Sequence, residues 1–239
     1  MSRVVCWWSA GAASTVAAKL TLAQHPEAVL VYCETGSEHA DNERFLIDCE
    51  VWLNRPIVRL RSDAYNDIWD VFNKTRYLVG PSGARCTTEM KKRVRQRFAK
   101  AEDVNVFGYT ADERRRIERF KATNPEISAS FPVAEALLSH ADCLALIERS
   151  GLELPAMYRL GYANNNCIGC VKGGAGYWNK IRRDFPAVFD RMASVELALG
   201  RTVLGDTSLA ELDPNRGSEP EAPIECSLFC HATNAEWAK

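Results

Sequence analysis

The chain has 239 residues, of which 46% are hydrophobic, and a formal net charge of −1 at pH 7. This length suits one globular domain with a tail or a small appendage. The near-zero charge excludes a global field that would draw the protein to nucleic acid or to a membrane, and no apolar run reaches transmembrane length. Residues 1–8 lack the apolar core and cleavage site of a signal peptide, so we expect a cytoplasmic protein.

The first half of the sequence alternates short apolar runs with helical periodicity. Buried strands are expected at residues 4–8, 28–32, 57–60 and 104–108, and helices at residues 15–24 and 41–53. Strands that alternate with helices predict an α/β fold with a doubly wound, mainly parallel sheet. Right-handed crossovers place the loops that follow the strands along one edge of the sheet, where ligands bind.

The second half is mostly helical and ends in a polar segment. Helices are expected at residues 133–138, 142–150 and 177–199, and Pro186 divides the last of them. Residues 206–224 are rich in Asp, Glu, Pro, Ser and Gly, which is typical of an extended linker. We therefore predict an α/β domain with a helical C-terminal portion over residues 1–205, and an extended tail over residues 206–239 that carries Cys226 and Cys230.

A loop of small residues joins the first strand to the first helix. It contains Ser9, Gly11 and Ser14. Small side chains allow the backbone to approach a ligand closely, and the first N–H groups of the following helix favour an anion. The loop is therefore a candidate phosphate site, although short turns of this kind also serve simply to save space in α/β proteins.

Nine cysteines in a chain without an evident secretion signal favour metal binding or redox chemistry over structural disulfides. Four of them lie among apolar neighbours and are expected to pack in the core: Cys6, Cys33, Cys49 and Cys143. The other five lie in polar or turn-rich surroundings: Cys86, Cys167, Cys170, Cys226 and Cys230. The pair Cys167 and Cys170 has the two-residue spacing that lets both sulfurs reach one metal ion, and Gly169 permits the tight turn. Zinc, an iron–sulfur cluster and a redox pair all remain open from this spacing.

Several segments, in order along the chain, resemble motifs of the adenine nucleotide alpha-hydrolase-like (PP-loop) superfamily. Residues 9–14, SAGAAS, are similar to the PP-loop S-G-G-x-D-S, with Ala10 in place of a glycine and Ala13 in place of the aspartate. The aspartate is typical of members that cleave ATP. Its absence favours the sulfonucleotide reductases, the phosphoadenosine-phosphosulfate reductase-like family.

Four later segments extend this resemblance over about residues 3–178. Residues 34–38, ETGSE, resemble a D-T-G segment, and residues 85–91 resemble a cysteine followed by a basic helix. Residues 108–116 resemble the signature G-x-R-x-x-E-S-x-x-R without its first arginine and its serine. Residues 154–170 resemble the stretch that runs from L-P-x-Y-x-x-G to G-C-x-x-C.

The resemblance implies an adenine-nucleotide site and a substrate that is phosphoadenosine phosphosulfate or adenylyl sulfate. The nucleotide-binding residues that it implies are Ser9, Gly11, Ser14, Glu34, Thr35, Gly108, Asp112, Glu113 and Arg116. From the residues alone, Glu34 and Thr35 could instead cap a helix, and Asp112 and Glu113 could be first-turn carboxylates.

The resemblance also implies a nucleophile, because residues 225–228, ECSL, are similar to the family's catalytic tail E-C-G-L/I-H. Cys226 is then the catalytic thiolate, with Ser227 in place of the glycine and Phe229 where a histidine is expected. The thiolate attacks the sulfate sulfur and expels the nucleotide. A second thiol, such as that of a thioredoxin-like donor, then releases sulfite.

The same resemblance implies a [4Fe–4S] cluster held by Cys86, Cys167, Cys170 and Cys230. Zinc would accept the same four thiolates, and Cys226 and Cys230 could exchange roles. Two other functions stay open. One is an ATP-dependent PP-loop sulfur transferase that modifies a nucleobase or another acceptor, with a basic helix from Lys91 holding nucleic acid. The other is a non-catalytic nucleotide-binding or cluster-binding regulator.

Overall fold

The structure is a computed structural model that describes residues 2–81, 83–217 and 224. Its strands are β1 Val4–Trp8, β2 Val29–Cys33, β3 Ile57–Leu60, β4 Val104–Phe107 and β5 Ala129–Ser130. Its α-helices are α1 Ala12–Gln24, α2 Asn42–Leu53, α3 Ile68–Thr75, α4 Arg85–Thr87, α5 Arg93–Phe98, α6 Arg114–Thr123, α7 Pro132–Glu135, α8 His140–Arg149, α9 Ala156–Arg159, α10 Ala175–Asp184 and α11 Pro186–Leu199. A π-helix, Thr88–Lys92, joins α4 to α5, and the turns Ala111–Glu113 and Leu209–Glu211 are 3-10 helices.

The chain divides into two compact units whose segments interleave along the sequence. The first, which we call the sheet unit, comprises Met1–Glu34, Ala40–Arg61 and Arg95–Arg159. The second, which we call the cysteine unit, comprises Thr35–His39, Ser62–Val94 and Leu160–Lys239. The described residues of the tail predicted from residue 206, which are residues 206–217 and 224, therefore belong to the last segment of the cysteine unit.

The sheet unit contains a five-stranded, all-parallel sheet with strand order β3-β2-β1-β4-β5. The predicted parallel α/β arrangement is confirmed. Strand β1 pairs with β2 on one side and β4 on the other, and all five of its residues are buried. A strand covered on both faces has a continuous apolar sequence, as β1 does with VVCWW. The strand order reverses next to β1, and this reversal is where ligands bind in open α/β sheets.

Helices flank the sheet and complete its core. Trp8 of β1 packs against Tyr32 and Phe45, with ring centroids 5.2 and 6.0 Å away. The predicted core cysteines are confirmed, because Cys6, Cys33, Cys49 and Cys143 are all buried. Burial raises the pKa of Cys6, Cys49 and Cys143 to about 12, so these thiols stay protonated. No helix of the described residues is long and apolar enough to cross a membrane.

The cysteine unit is built from helices and loops. Helix α3 buries Ile68, Trp69 and Phe72 on one face. The predicted division at Pro186 is confirmed, because α10 ends at Asp184 and α11 begins at that proline. Residues 206–217 contain a 3-10 turn rather than a fully extended linker, and Leu209 and Leu212 of this segment are buried.

The carboxylate of Glu196 on α11 holds this last segment. It accepts hydrogen bonds from the N–H groups of Val203 and Leu209, both at 2.6 Å. Glu196 is itself buried, and burial raises its pKa. The chain after α11 is therefore fixed against that helix by a side chain that sequence periodicity does not reveal.

Candidate functional site

The loop after β1 is a closed hydrogen-bonded turn. Helix α1 begins at Ala12, with Gly11 as its N-cap residue. The Ser14 hydroxyl accepts hydrogen bonds from the N–H and the hydroxyl of Ser9, both at 3.1 Å, and donates to the carbonyl of Gly11 at 2.9 Å. The structure thus brings Ser9, Gly11 and Ser14 together at the carboxyl end of β1, as predicted. The two hydroxyls are used to close the turn. The N–H groups at the start of α1 are therefore the groups that would donate hydrogen bonds to a bound anion.

One residue of this loop has a strained backbone. Ala10 has φ of 59°, in the left-handed region, and it is fully buried. This conformation costs an alanine about 1–2 kcal/mol relative to the usual regions. Ala10 stands where the PP-loop pattern has a glycine. Strain retained in a ligand-binding loop is typical of functional sites.

Gly108, which follows β4, touches the same loop. A Cβ atom at this position would lie 2.5 Å from both the N and the Cα of Ser14, which is closer than real Cβ contacts. Only glycine therefore fits here without displacing the loop. The contact joins the ends of β1 and β4, the two neighbouring strands at which the strand order reverses.

Tyr158 contributes to the loop and was not predicted as a site residue. Its hydroxyl accepts a hydrogen bond from the N–H of Ala12, the first residue of α1, at 3.2 Å. Its ring lies 5.8 Å from that of His140. An anion at the helix N-terminus would compete with this hydroxyl for the Ala12 N–H. The sequence signal was the position of Tyr158 within the stretch that resembles L-P-x-Y-x-x-G.

The acidic residues after β4 have partners within the chain. Glu113 accepts from the N–H of Thr110 at 2.9 Å and forms an ion pair with Arg116. Asp112 accepts from the N–H of His140 at 3.0 Å. Both residues lie in the first turn of a helical segment, which is the alternative to nucleotide binding that was left open for them, and Glu113 completes a capping box with Thr110. Burial lowers the pKa of the His140 imidazole.

Glu34, at the end of β2, is paired with two arginines. Its carboxylate accepts from Arg59 and Arg61, each with a contact of 2.6 Å. Burial alone would raise its pKa, but the hydrogen bonds from both guanidinium groups outweigh burial and lower the pKa to about 2. Glu34 is therefore a fixed negative charge at the carboxyl edge of the sheet.

In the cysteine unit, Cys86, Cys167 and Cys170 line one pocket. Thr35 and Lys91 line it as well, so Thr35 belongs with the cysteines in this structure. Cys86 and Cys167 are partly exposed, whereas Cys170 is buried. The predicted nucleophile Cys226 and the fourth predicted ligand Cys230 lie outside the described residues.

Tyr177 organises the turn that carries two of these cysteines, and it too was not predicted. Its buried hydroxyl accepts from the N–H groups of Gly169 and Cys170, at 3.0 and 2.9 Å, and donates to the carbonyl of Cys167 at 3.2 Å. Gly169 has φ of 83°, which confirms the predicted tight turn. One oxygen atom thus fixes the backbone of the whole C-x-x-C segment.

The hydroxyl of Thr35, in the segment Thr35–His39, contacts the turn that carries Cys167. It donates to Glu38 at 2.7 Å and lies 2.9 Å from the Cys167 sulfur. The Thr35 hydroxyl therefore lies between the Glu38 carboxylate and the Cys167 sulfur and contacts both.

Cys86 and Lys91 lie on one continuous helical segment, within and just after α4. The π-helix begins two residues after Cys86 and includes Lys91. Glu89 is buried between Arg85 and Arg93, which approach its carboxylate to 2.9 and 2.5 Å. This ion-pair network holds the π-helix. Short π-helical insertions occur frequently at functional sites.

The three thiols of this pocket are the donor type that both iron–sulfur clusters and zinc require. The residues therefore fit such a group in chemistry. Within the part of the chain that the structure describes, no three His, Cys, Asp or Glu side chains already converge on one metal position. The cluster and its zinc alternative stay predictions.

Comparison of the sequence with models of known protein families and with curated proteins finds no match. The fold defines the chain as an α/β protein with a parallel five-stranded sheet flanked by helices. The two candidate sites on this fold are the loop after β1 and the pocket lined by Cys86, Cys167 and Cys170.

Proposed function

We propose that the protein is a sulfonucleotide reductase-like enzyme of the PP-loop, adenine nucleotide alpha-hydrolase-like fold. The observation that carries the proposal is the loop at residues 9–14. It lies at the reversal of strand order, keeps a buried alanine in a left-handed conformation, and touches Gly108 of the neighbouring strand end. A close-approach loop at a helix N-terminus in this position suits the phosphates of a nucleotide.

The proposed reaction has three steps. The Cys226 thiolate attacks the sulfate sulfur of phosphoadenosine phosphosulfate or adenylyl sulfate, an S–S bond forms, and the S–O bond to the nucleotide phosphate breaks. A thiolate from a thioredoxin-like donor then attacks the Cys226 sulfur and expels sulfite, which leaves a mixed disulfide. A second thiol of the donor resolves that disulfide and regenerates the Cys226 thiolate, so the oxidation of the donor's two thiols to a disulfide supplies the two electrons.

In this proposal, Cys86, Cys167, Cys170 and Cys230 hold the [4Fe–4S] cluster. When bound, the cluster supplies a local electrostatic field rather than electrons. The residues of the chain do the remaining work: Tyr177 orients the Cys167–Cys170 turn, and Lys91 adds a positive charge to the pocket lining.

The activity test compares two products. We expect sulfite release from phosphoadenosine phosphosulfate or adenylyl sulfate in the presence of a thioredoxin-like reductant, and no sulfite from Cys226→Ser, which should still bind substrate. Wild-type turnover in Cys226→Ser would end the tail-nucleophile assignment. Pyrophosphate release from ATP without sulfite would instead support the sulfur transferase. Nucleotide binding without either product would support the regulator.

The binding test uses Gly11. A Cβ atom there would lie 3.3 Å from the Tyr158 hydroxyl and 3.6 Å from the Ser9 hydroxyl, and its φ of −98° is open to any residue. Gly11→Ala is therefore the matched control, expected to fold and to retain binding. Gly11→Val adds two methyl groups that fill the loop, so it should fold but lose the nucleotide. Unchanged nucleotide affinity in Gly11→Val would overturn the loop assignment.

The cofactor test is anaerobic purification with iron and sulfide analysis and a visible spectrum. We expect a brown protein, and loss of iron when Cys167 and Cys170 are both replaced by Ser. Colourless protein with stoichiometric zinc would show that the site binds zinc instead of the cluster. Iron retained in the double variant would show that Cys167 and Cys170 are not ligands of the cluster.

A further inference from the structure

A described residue of the C-terminal tail, Ile224, is held by two asparagine side chains. Its N–H donates to the Oδ1 of Asn164 at 2.9 Å, and its carbonyl accepts from the Nδ2 of Asn166 at 3.2 Å. Ile224 is 8% exposed, so its side chain is buried as well. Both backbone polar groups of one residue are thus bonded, as they are for a residue paired within a β-ladder.

The chemistry of the two contacts explains why asparagine occurs at both positions. An amide side chain carries one acceptor and two donors. The Ile224 N–H requires an acceptor, which Asn164 supplies, and the Ile224 carbonyl requires a donor, which Asn166 supplies. The run of asparagines at 164–166 indicated only a loop when it was read from the sequence. In the structure, Asn164 and Asn166 of this run form a two-point contact with the backbone of Ile224.

The contact between Ile224 and the two asparagines lies next to the cysteine pocket and close in sequence to Cys226. Asn166 precedes Cys167 directly and lines the pocket with the three cysteines. Cys226 lies two residues beyond Ile224 in the sequence, and two residues of chain span at most about 7 Å. Holding Ile224 therefore fixes the point from which the chain leads to Cys226.

We infer that Asn164 and Asn166 form a docking site for the backbone of the C-terminal tail at Ile224, and that they are positioning residues for the Cys226 thiol. The positioning role rests on the proposed function, because it assumes that Cys226 reacts. The docking itself requires no activity. The occupant is residue 224 of the same chain, and recognition is by backbone rather than by side-chain identity.

Hydrogen exchange of the full chain, read by mass spectrometry on the peptide that contains Ile224, tests the docking. Asn164→Asp keeps an acceptor for the Ile224 N–H and should preserve its protection. Asn166→Asp replaces the donor with a carboxylate that faces the Ile224 carbonyl, so we expect exchange to rise about tenfold or more. Equal exchange in Asn166→Asp and the wild type would overturn the docking site.

A second variant leaves the body of the protein unchanged. Ile224→Pro removes the N–H that Asn164 accepts. A Glu-specific protease that cleaves after Glu225 needs an undocked, extended chain, so cleavage should be faster in Ile224→Pro and in Asn166→Asp than in the wild type and Asn164→Asp. Equal cleavage rates in all four proteins would refute the docking even if one loop variant folds poorly.

The positioning role is tested by sulfite release. Asn166→Asp should lower kcat with little change in KM. A wild-type kcat in an Asn166→Asp protein whose tail exchanges freely would refute positioning. Absence of sulfite release from the wild type would reject the proposed function and the positioning role with it, while the exchange data would still decide the docking site.

Discussion

Replacing Tyr177 by Phe removes a single oxygen atom that makes three hydrogen bonds to the Cys167–Cys170 turn. The residue is 3% exposed, so water cannot easily replace that atom. Each buried hydrogen bond contributes a net 0.5–1.5 kcal/mol, and three together give about 3 kcal/mol. We expect Tyr177→Phe to lower the free energy of unfolding by about this amount in urea titrations followed by tryptophan fluorescence.

The matched control is Tyr65→Phe. The Tyr65 ring contacts the ammonium of Lys74 at 5.5 Å, and within the described residues its hydroxyl makes no hydrogen bond. This variant should stay within about 0.5 kcal/mol of the wild type. The turn should also loosen, so Cys170 in Tyr177→Phe should react faster with a thiol reagent. A Tyr177→Phe protein with wild-type stability and wild-type thiol reactivity would refute the assigned role of this hydroxyl.

Three further predictions concern the sheet unit. Gly108→Ala pushes a methyl group against Ser14 of the loop after β1, so it should cost about 1–3 kcal/mol in thermal unfolding and abolish the proposed nucleotide binding; unchanged binding would contradict the assignment of this loop. Tyr158→Phe leaves the first N–H of α1 without its hydroxyl partner, so added inorganic phosphate should raise Tm more in this variant than in the wild type. The hydrogen bond from Arg44 lowers the pKa of Asp41 from 3.8 to about 2, so Asp41 stabilises the fold above pH 4 and this contribution is lost as pH falls towards 2. Asp41→Asn should flatten the pH dependence of urea unfolding in that window.

The sequence predicts the parts of the fold that have strong local patterns. Strand β1 was predicted with its observed bounds, because a strand buried on both faces is apolar at every position. The division at Pro186 was also predicted, because proline cannot continue a helix. The same logic fails for β5, which has two small residues, Ala129 and Ser130, and gains its strand conformation only from pairing with β4.

Helix ends were predicted less well, because the backbone conformation at each end, which side-chain periodicity does not reveal, sets them. The helix expected over residues 133–138 ends at Glu135, since Leu137 adopts a left-handed conformation with φ of 58° and the N–H groups of Leu137 and Leu138 bond back to the helix. Helix α1 begins three residues earlier than expected, inside the small-residue loop.

For the candidate sites, sequence reasoning found the residue types but missed their supports. Small loop residues and a C-x-x-C pair are visible as local patterns. Tyr158 and Tyr177 act through hydroxyl contacts to backbone atoms, and no periodicity marks such contacts. Asn164 and Asn166 bond to a residue about sixty positions away. Such partners depend on tertiary structure and cannot be derived from local composition.

The π-helix in the cysteine unit has a consequence for the electrostatics of the pocket. Cys86 and Lys91 are five positions apart, and in a regular α-helix they would point about 140° away from each other around the axis. The π-helix Thr88–Lys92 covers the second part of this interval, and its i to i+5 hydrogen bonding gives it more residues per turn, so Lys91 is rotated from the direction that it would have in a regular α-helix. Both residues line the same pocket. The pitch of this helical segment thus contributes to placing an ammonium group beside a thiol.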